Sequence, residues 1–113
     1  MYTGAWAAIG AYCEAKCAAD EFLYAESRRA AKPRWEDICL RPGALTDAPA
    51  TGRVELGRSR AAGGVSRADV AAVAAELLER GGAGGLWLDM VAGQEEVGEA
   101  VARCVRDRVT ARE

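Results

Sequence analysis

Residues 65–91, VSRADVAAVAAELLERGGAGGLWLDMV, carry the reading that decides the fold. Ser66 with Asp69 three positions later is a helix N-cap signature, and an acidic first turn complements the helix dipole. Val70, Val73, Ala74, Leu77 and Leu78 then recur at helical spacing. Gly81 to Gly85 stop the helix where a C-cap glycine belongs. Leu86-Trp87-Leu88-Asp89-Met90-Val91 follows, short and apolar, as a buried strand. Working outward, Gly93 is expected to open a last helix, Gln94 to about Val109, with Val97, Val101, Cys104 and Val105 on one side.

Upstream, Gly4 to Arg29 read as one helix with Trp6, Ile9, Cys13, Cys17 and Phe22 or Leu23 at three- and four-residue steps. Cys13 and Cys17, one turn apart, are expected to be small core residues. Lys32-Pro33 breaks the pattern. Ile38-Cys39-Leu40 is a second candidate buried strand, ended by Pro42-Gly43, where the backbone can turn sharply. Ala44 to Gly64, rich in Gly, Pro, Thr and Asp, is expected to be a long loop with one short extended piece, Arg53-Val54-Glu55-Leu56. Helix, strand, loop, helix, strand, helix is the alternation of an α/β fold with a mostly parallel sheet.

The chain has 113 residues, half of them apolar, 6% aromatic, and a formal charge of -2. That length bounds it to one domain, with a core built largely from small side chains. Arg is interspersed with Asp and Glu, so no nucleic-acid surface is expected. No apolar run reaches the ~20 residues that span a bilayer, and the first residues lack a signal-peptide pattern, so a cytoplasmic protein is expected. Cysteines 13, 17, 39 and 104 form no C-x-x-C, and the chain has no histidine. No metal site is expected, and Ser-His-Asp and Cys-His catalysis are excluded. A catalytic acid or base must then be Tyr, Lys, Asp or Glu.

Tyr12 and Lys16 supply such a pair. Four residues apart on a helix, they share a face one turn from each other. An ammonium beside a phenol stabilises negative charge on its oxygen, which eases proton transfer. Spacing alone nevertheless favours a plainer arrangement, a half-buried tyrosine beside a surface lysine. The glycines supply no nucleotide loop: those at 81–85 close a helix instead of opening one, and no G-x-x-x-x-G-K-[ST] occurs.

The order of short motifs changes the balance. Tyr12-x-x-x-Lys16 is followed by Ala18-Ala19-Asp20-Glu21-x-Leu23 and Leu40-Arg41-Pro42-Gly43-Ala44-Leu45-Thr46-Asp47. Thr51-Gly52-Arg53-Val54 and Val65-Ser66-Arg67-Ala68-Asp69-Val70-Ala71 come next. Over residues 10 to 100 this resembles the C-terminal half of the atypical short-chain dehydrogenase/reductases. That NAD(P)-binding group includes NmrA-like and flavin or biliverdin reductase-like members.

The resemblance implies a partial Rossmann-like three-layer fold whose N-terminal βαβ units are missing, with residues 1–113 one incomplete domain. It implies NADP or NAD as cofactor and a small-molecule substrate. Tyr12 would hydrogen-bond or protonate the reacting carbonyl, and Lys16 would hold the nicotinamide ribose and assist the tyrosine. Pro42, Gly43 and Leu45 would line the nicotinamide side of the pocket, while Ser66 and Asp69 read as a structural cap. The expected function is that of an oxidoreductase fragment, inactive alone. The alternative is a non-enzymatic α/β interaction module or a pseudoenzyme without nucleotide binding. Helix 4–29 is in addition a candidate helix–helix interface between copies of the chain.

Overall fold

The computed structural model describes residues 5–29, 35–59 and 62–113, with the side chains of residues 5–9 left aside. The expected break at Lys32-Pro33 and the Trp6 and Ile9 positions of the helical stripe lie outside what is described. Two compact units are present, residues 1–37 and 38–113.

The first unit is built on α1, Ala5–Arg29. Alanine at eight of its positions and the absence of proline make the helix favourable. Arg28 and Arg29 place positive charge at the C-terminal end of the dipole. Beyond it, Arg28 donates to the Asp37 carboxylate at 3.0 Å and to Ser27 Oγ, and its guanidinium lies 4.5 Å from the centre of the Tyr24 ring. Cys13 and Cys17 are exposed, which corrects the expectation that they are core residues. α1 is the one described element of its unit, so that unit offers no second element to bury them against.

The second unit is α/β. Its strands are β1 (Cys39–Pro42), β2 (Ala44–Thr46), β3 (Arg53–Gly57), β4 (Gly64–Ser66), β5 (Trp87–Ala92) and β6 (Glu95–Glu96). Its helices are α2, Arg67–Arg80, and α3, Val97–Asp107. One sheet has the order β1-β5-β3-β6, and β2 pairs with β4 in a second, two-stranded sheet. The pairs β1–β5 and β2–β4 are parallel, whereas β3 runs antiparallel to both β5 and β6. The α/β expectation therefore holds, with more antiparallel pairing than simple alternation suggests. Of the added strands, β2 arises inside the segment read from sequence as a loop and β4 at its end, while β6 lies where the last helix was expected to begin.

Pleating explains the core. Val54 and Leu56 on β3 and Leu88 and Met90 on β5 point to one face, where Val73 and Leu77 of α2 and Ala100, Val101 and Cys104 of α3 meet them. Every one of these side chains is buried. Leu40 and Ile38 reach the same core only half-buried, because β1 ends the sheet order instead of sitting inside it. Burial pushes the Cys104 thiol pKa up, against the opposing pull of Arg103.

Both helix ends of α2 follow the sequence reading. Ser66 Oγ accepts the Asp69 amide at 3.0 Å, and the Gly81 amide donates to Leu77 at 3.2 Å with φ 74°. The last helix starts at Val97 and not Gln94, because Gly93 has another task. There the chain crosses β3, and a Cβ on Gly93 would lie 2.5 Å from the Glu55 nitrogen and 2.6 Å from the Val54 carbonyl carbon. Only glycine allows that crossing, after which Glu95 and Glu96 pair on the far side of β3.

Candidate functional site

Tyr12 and Lys16 lie within α1, one turn apart, as the helical spacing dictates. Tyr12 is 64% exposed and Lys16 is exposed. The tyrosine is thus more open than the half-buried residue that spacing alone favours. Alanines at 11, 15, 18 and 19 keep this part of the helix free of bulk, and those positions are exposed as well.

Pro42, Gly43 and Leu45 belong to the second unit. Pro42 ends β1 and Gly43 and Leu45 follow it, while the parallel partner β5 runs alongside to Met90. This is the carboxyl end of a parallel strand pair, the place where open α/β sheets bind ligands. Gly43 is required by the chain itself: a Cβ there would lie 2.4 Å from the Gly63 carbonyl oxygen and 3.2 Å from Val91 Cγ1. Its amide donates to the Met90 carbonyl at 2.9 Å, and the Ala44 amide donates to Gly63 at 3.2 Å. Leu45, on β2, is 46% exposed.

These positions offer an apolar wall and not a phosphate cradle. A pyrophosphate site needs backbone amides aimed at the ligand, and the Gly43 and Ala44 amides are directed at protein carbonyls. Just before Pro42, Arg41 lies 3.5 Å from the Asp89 carboxylate, its register partner on β5, with its guanidinium 5.5 Å from the centre of the Trp87 ring. Sequence reading passed over this pair because cross-strand register is not visible along the chain.

Thr51-Gly52, read from sequence only as one of the motifs in the series, is an anchored turn. Its anchor is Asp69, whose carboxylate accepts the Thr51 amide at 3.0 and 3.1 Å, the Thr51 hydroxyl at 2.9 Å and the Gly52 amide at 3.0 Å. Asp69 is 2% exposed. Burial acts to raise its pKa, but the hydrogen bonds from Gly52, Thr51 and Ser66 outweigh it and hold the carboxyl below its usual range. Asp69 is thus both part of the cap region and the tie that fixes the turn between β2 and β3. Its S-x-x-D spacing signals the cap; only the fold reveals the tie.

Among the described residues, no group of three or more His, Cys, Asp or Glu is placed to hold a metal ion. No described helix is long and apolar enough to cross a membrane.

Comparison with known proteins adds the identity of the family. No curated protein matches the chain significantly. The oxidoreductase ylbE from Lactococcus lactis is similar in structure at 25% identity with a TM-score of 0.74. The match covers 92% of this chain and 44% of that one. A putative NAD-dependent epimerase/dehydratase from Bacillus halodurans matches at 28% identity and a TM-score of 0.55, over 58% of this chain and 32% of its own. The chain thus spans less than half the length of these structures, and its fold is a partial Rossmann-like one. A family described as NAD(P)H-binding, whose cofactor is NAD or NADP, matches residues 2–81. That span includes α1 with Tyr12 and Lys16, the β1 end and all of α2, and by it the chain belongs to the NAD(P)H-binding family.

Proposed function

We propose that the chain is part of an NAD(P)-dependent oxidoreductase of the atypical short-chain dehydrogenase/reductase group. In this reading residues 1–113 are one incomplete dinucleotide-binding domain, and the substrate is a small carbonyl or hydroxyl compound. The observation that carries the reading is the Tyr12–Lys16 turn, exposed on α1 and inside the span matched to the family.

The roles follow from the side chains. Tyr12 gives its phenolic proton to the substrate oxygen in reduction and takes it back in oxidation. Lys16 holds the ribose hydroxyls and keeps a positive charge one turn from the phenol oxygen. Pro42 and Leu45 cover the nicotinamide face and exclude water from it. The bound dinucleotide supplies or accepts hydride.

The wall without a phosphate cradle also implies that these residues alone bind dinucleotide weakly and do not turn over. Thermal melts with and without NADPH test this, since a ligand bound only by the folded form raises the midpoint. Little shift is expected for the 113 residues, and a clear one for a chain that adds a strand–glycine turn–helix unit. A clear shift for the 113 residues alone would overturn the claimed dependence. No shift for the extended chain would remove the cofactor role.

A further inference from the structure

Cys13 and Cys17 are the part of α1 that the oxidoreductase reading leaves unused. Both are exposed, and neither is in a disulfide. Free cysteine is among the most buried of residue types, so two exposed thiols one turn apart need an explanation. Their neighbours leave them open. Ala11, Ala15, Ala18 and Ala19 are exposed as well and carry no bulk that would cover a thiol.

Positions 13 and 17 share one face of the helix, which sets their Cβ atoms about 5–6 Å apart. A disulfide needs about 3.5–4.5 Å between those atoms, so the two sulfurs do not bond to each other in an intact helix. A metal ion between them asks for less. A thiolate sulfur stands about 2.3 Å from a bound ion, and two such bonds in line span roughly 4.6 Å. The number of ligands then selects the ion. Structural zinc takes four, and an iron–sulfur cluster takes four cysteines. Among the described residues, no third His, Cys, Asp or Glu joins this pair in a group able to hold a metal. Copper(I) is the soft ion that thiolates favour and that two of them in line satisfy.

We infer that Cys13 and Cys17 form a two-coordinate copper(I) site on the exposed face of α1. Binding exchanges two S–H bonds for two Cu–S bonds. Both protons are released to solvent, the copper stays copper(I), and the bis-thiolate product carries one negative charge. Lys16, three positions after Cys13 and exposed on the same helix, brings positive charge to that product. The lack of histidine and of C-x-x-C, which excludes a four-ligand site, leaves a two-thiolate site untouched. The site adjoins Tyr12 and Lys16 in sequence and depends on neither one's part in catalysis.

Titrating the reduced 113-residue chain with copper(I), in anaerobic competition with bicinchoninate, tests the site. One ion per chain is expected, and X-ray absorption should show two sulfurs around it and no third. Cys13→Ser and Cys17→Ser should each weaken binding by ~100-fold or more, since even changes outside the ligand set cost about 10–100-fold. A chain carrying Cys17→Ser with Ala18→Cys keeps two exposed thiols on α1 but turns them to different faces of the helix. Its affinity should be no better than that of Cys17→Ser. Every substituted position is exposed, so these changes leave no cavity. Undiminished affinity with the thiols turned apart would overturn the paired site. So would unchanged binding when both cysteines are serine, which would move the copper to Cys39 or Cys104. A third sulfur around the ion would overturn it as well, because the site would then be shared between chains.

Discussion

The Thr51 amide donates to the Asp69 carboxylate at 3.0 Å across 18 positions of sequence. With the Thr51 hydroxyl and the Gly52 amide on the same two oxygens, one buried side chain fixes the approach to β3. Asp69→Ala would leave those donors without a charged acceptor, a loss of about 2–3 kcal/mol. Urea denaturation should show a lower midpoint with little change of slope. A midpoint equal to that of the native sequence would mean the turn is held by something else.

Acid should act through the same group. Asp69 titrates lower in the folded chain than in the unfolded one, where an aspartate titrates near ~3.9. Its stabilising contribution is therefore complete above that value and is lost as pH falls toward the folded pKa. Below about pH 4 the native protein should lose melting temperature more steeply than Asp69→Asn, which has no charge to lose. Parallel acid profiles for the two proteins would rule out Asp69 as a source of the acid sensitivity.

Tyr12 and Lys16 separate by kinetics. In a chain extended to bind dinucleotide, Tyr12→Phe should lower kcat by ~100-fold or more while leaving cofactor binding in place, the usual scale for a lost general acid. Lys16→Met should weaken dinucleotide binding as well as turnover. Steady-state kinetics of carbonyl reduction read both, and undiminished turnover in Tyr12→Phe would remove the tyrosine from the mechanism.

Gly43→Ala tests why glycine follows Pro42. The added methyl would stand 2.4 Å from the Gly63 carbonyl oxygen, backbone that cannot rotate away. Overpacking of this kind costs about 1–3 kcal/mol. A lowered melting temperature in the 113-residue chain, without any ligand present, would place the requirement in the fold; an unchanged one would return it to ligand approach.

Local chemistry was readable wherever neighbours in sequence are neighbours in space. The α2 boundaries followed from Ser66, Asp69 and Gly81, and the strand Trp87–Ala92 from the apolar run Leu86 to Val91 between glycines. The Tyr12–Lys16 turn needed only the helix period. The segment from Ala44 to Gly64 did not yield in this way. Leu45 and Val65 pair across 20 positions and Val54 joins β5 and β6 at once, so composition marked turns but not partners.

Some residues changed meaning altogether once the chain was folded. Gly93 reads as a helix start and is instead the point where the chain crosses β3. Cys13 and Cys17 read as core and are exposed, because a stripe becomes a core only when a second element covers it. The Tyr12–Lys16 spacing and the motif series that follows it were settled by the sequence alone, because they are properties of order along the chain. The Asp69 tie to Thr51, the Arg41–Asp89 register pair and the bonds of Thr110 and Ala111 to Trp87 were decided by tertiary structure, because each joins backbone or charge brought together only when strands align.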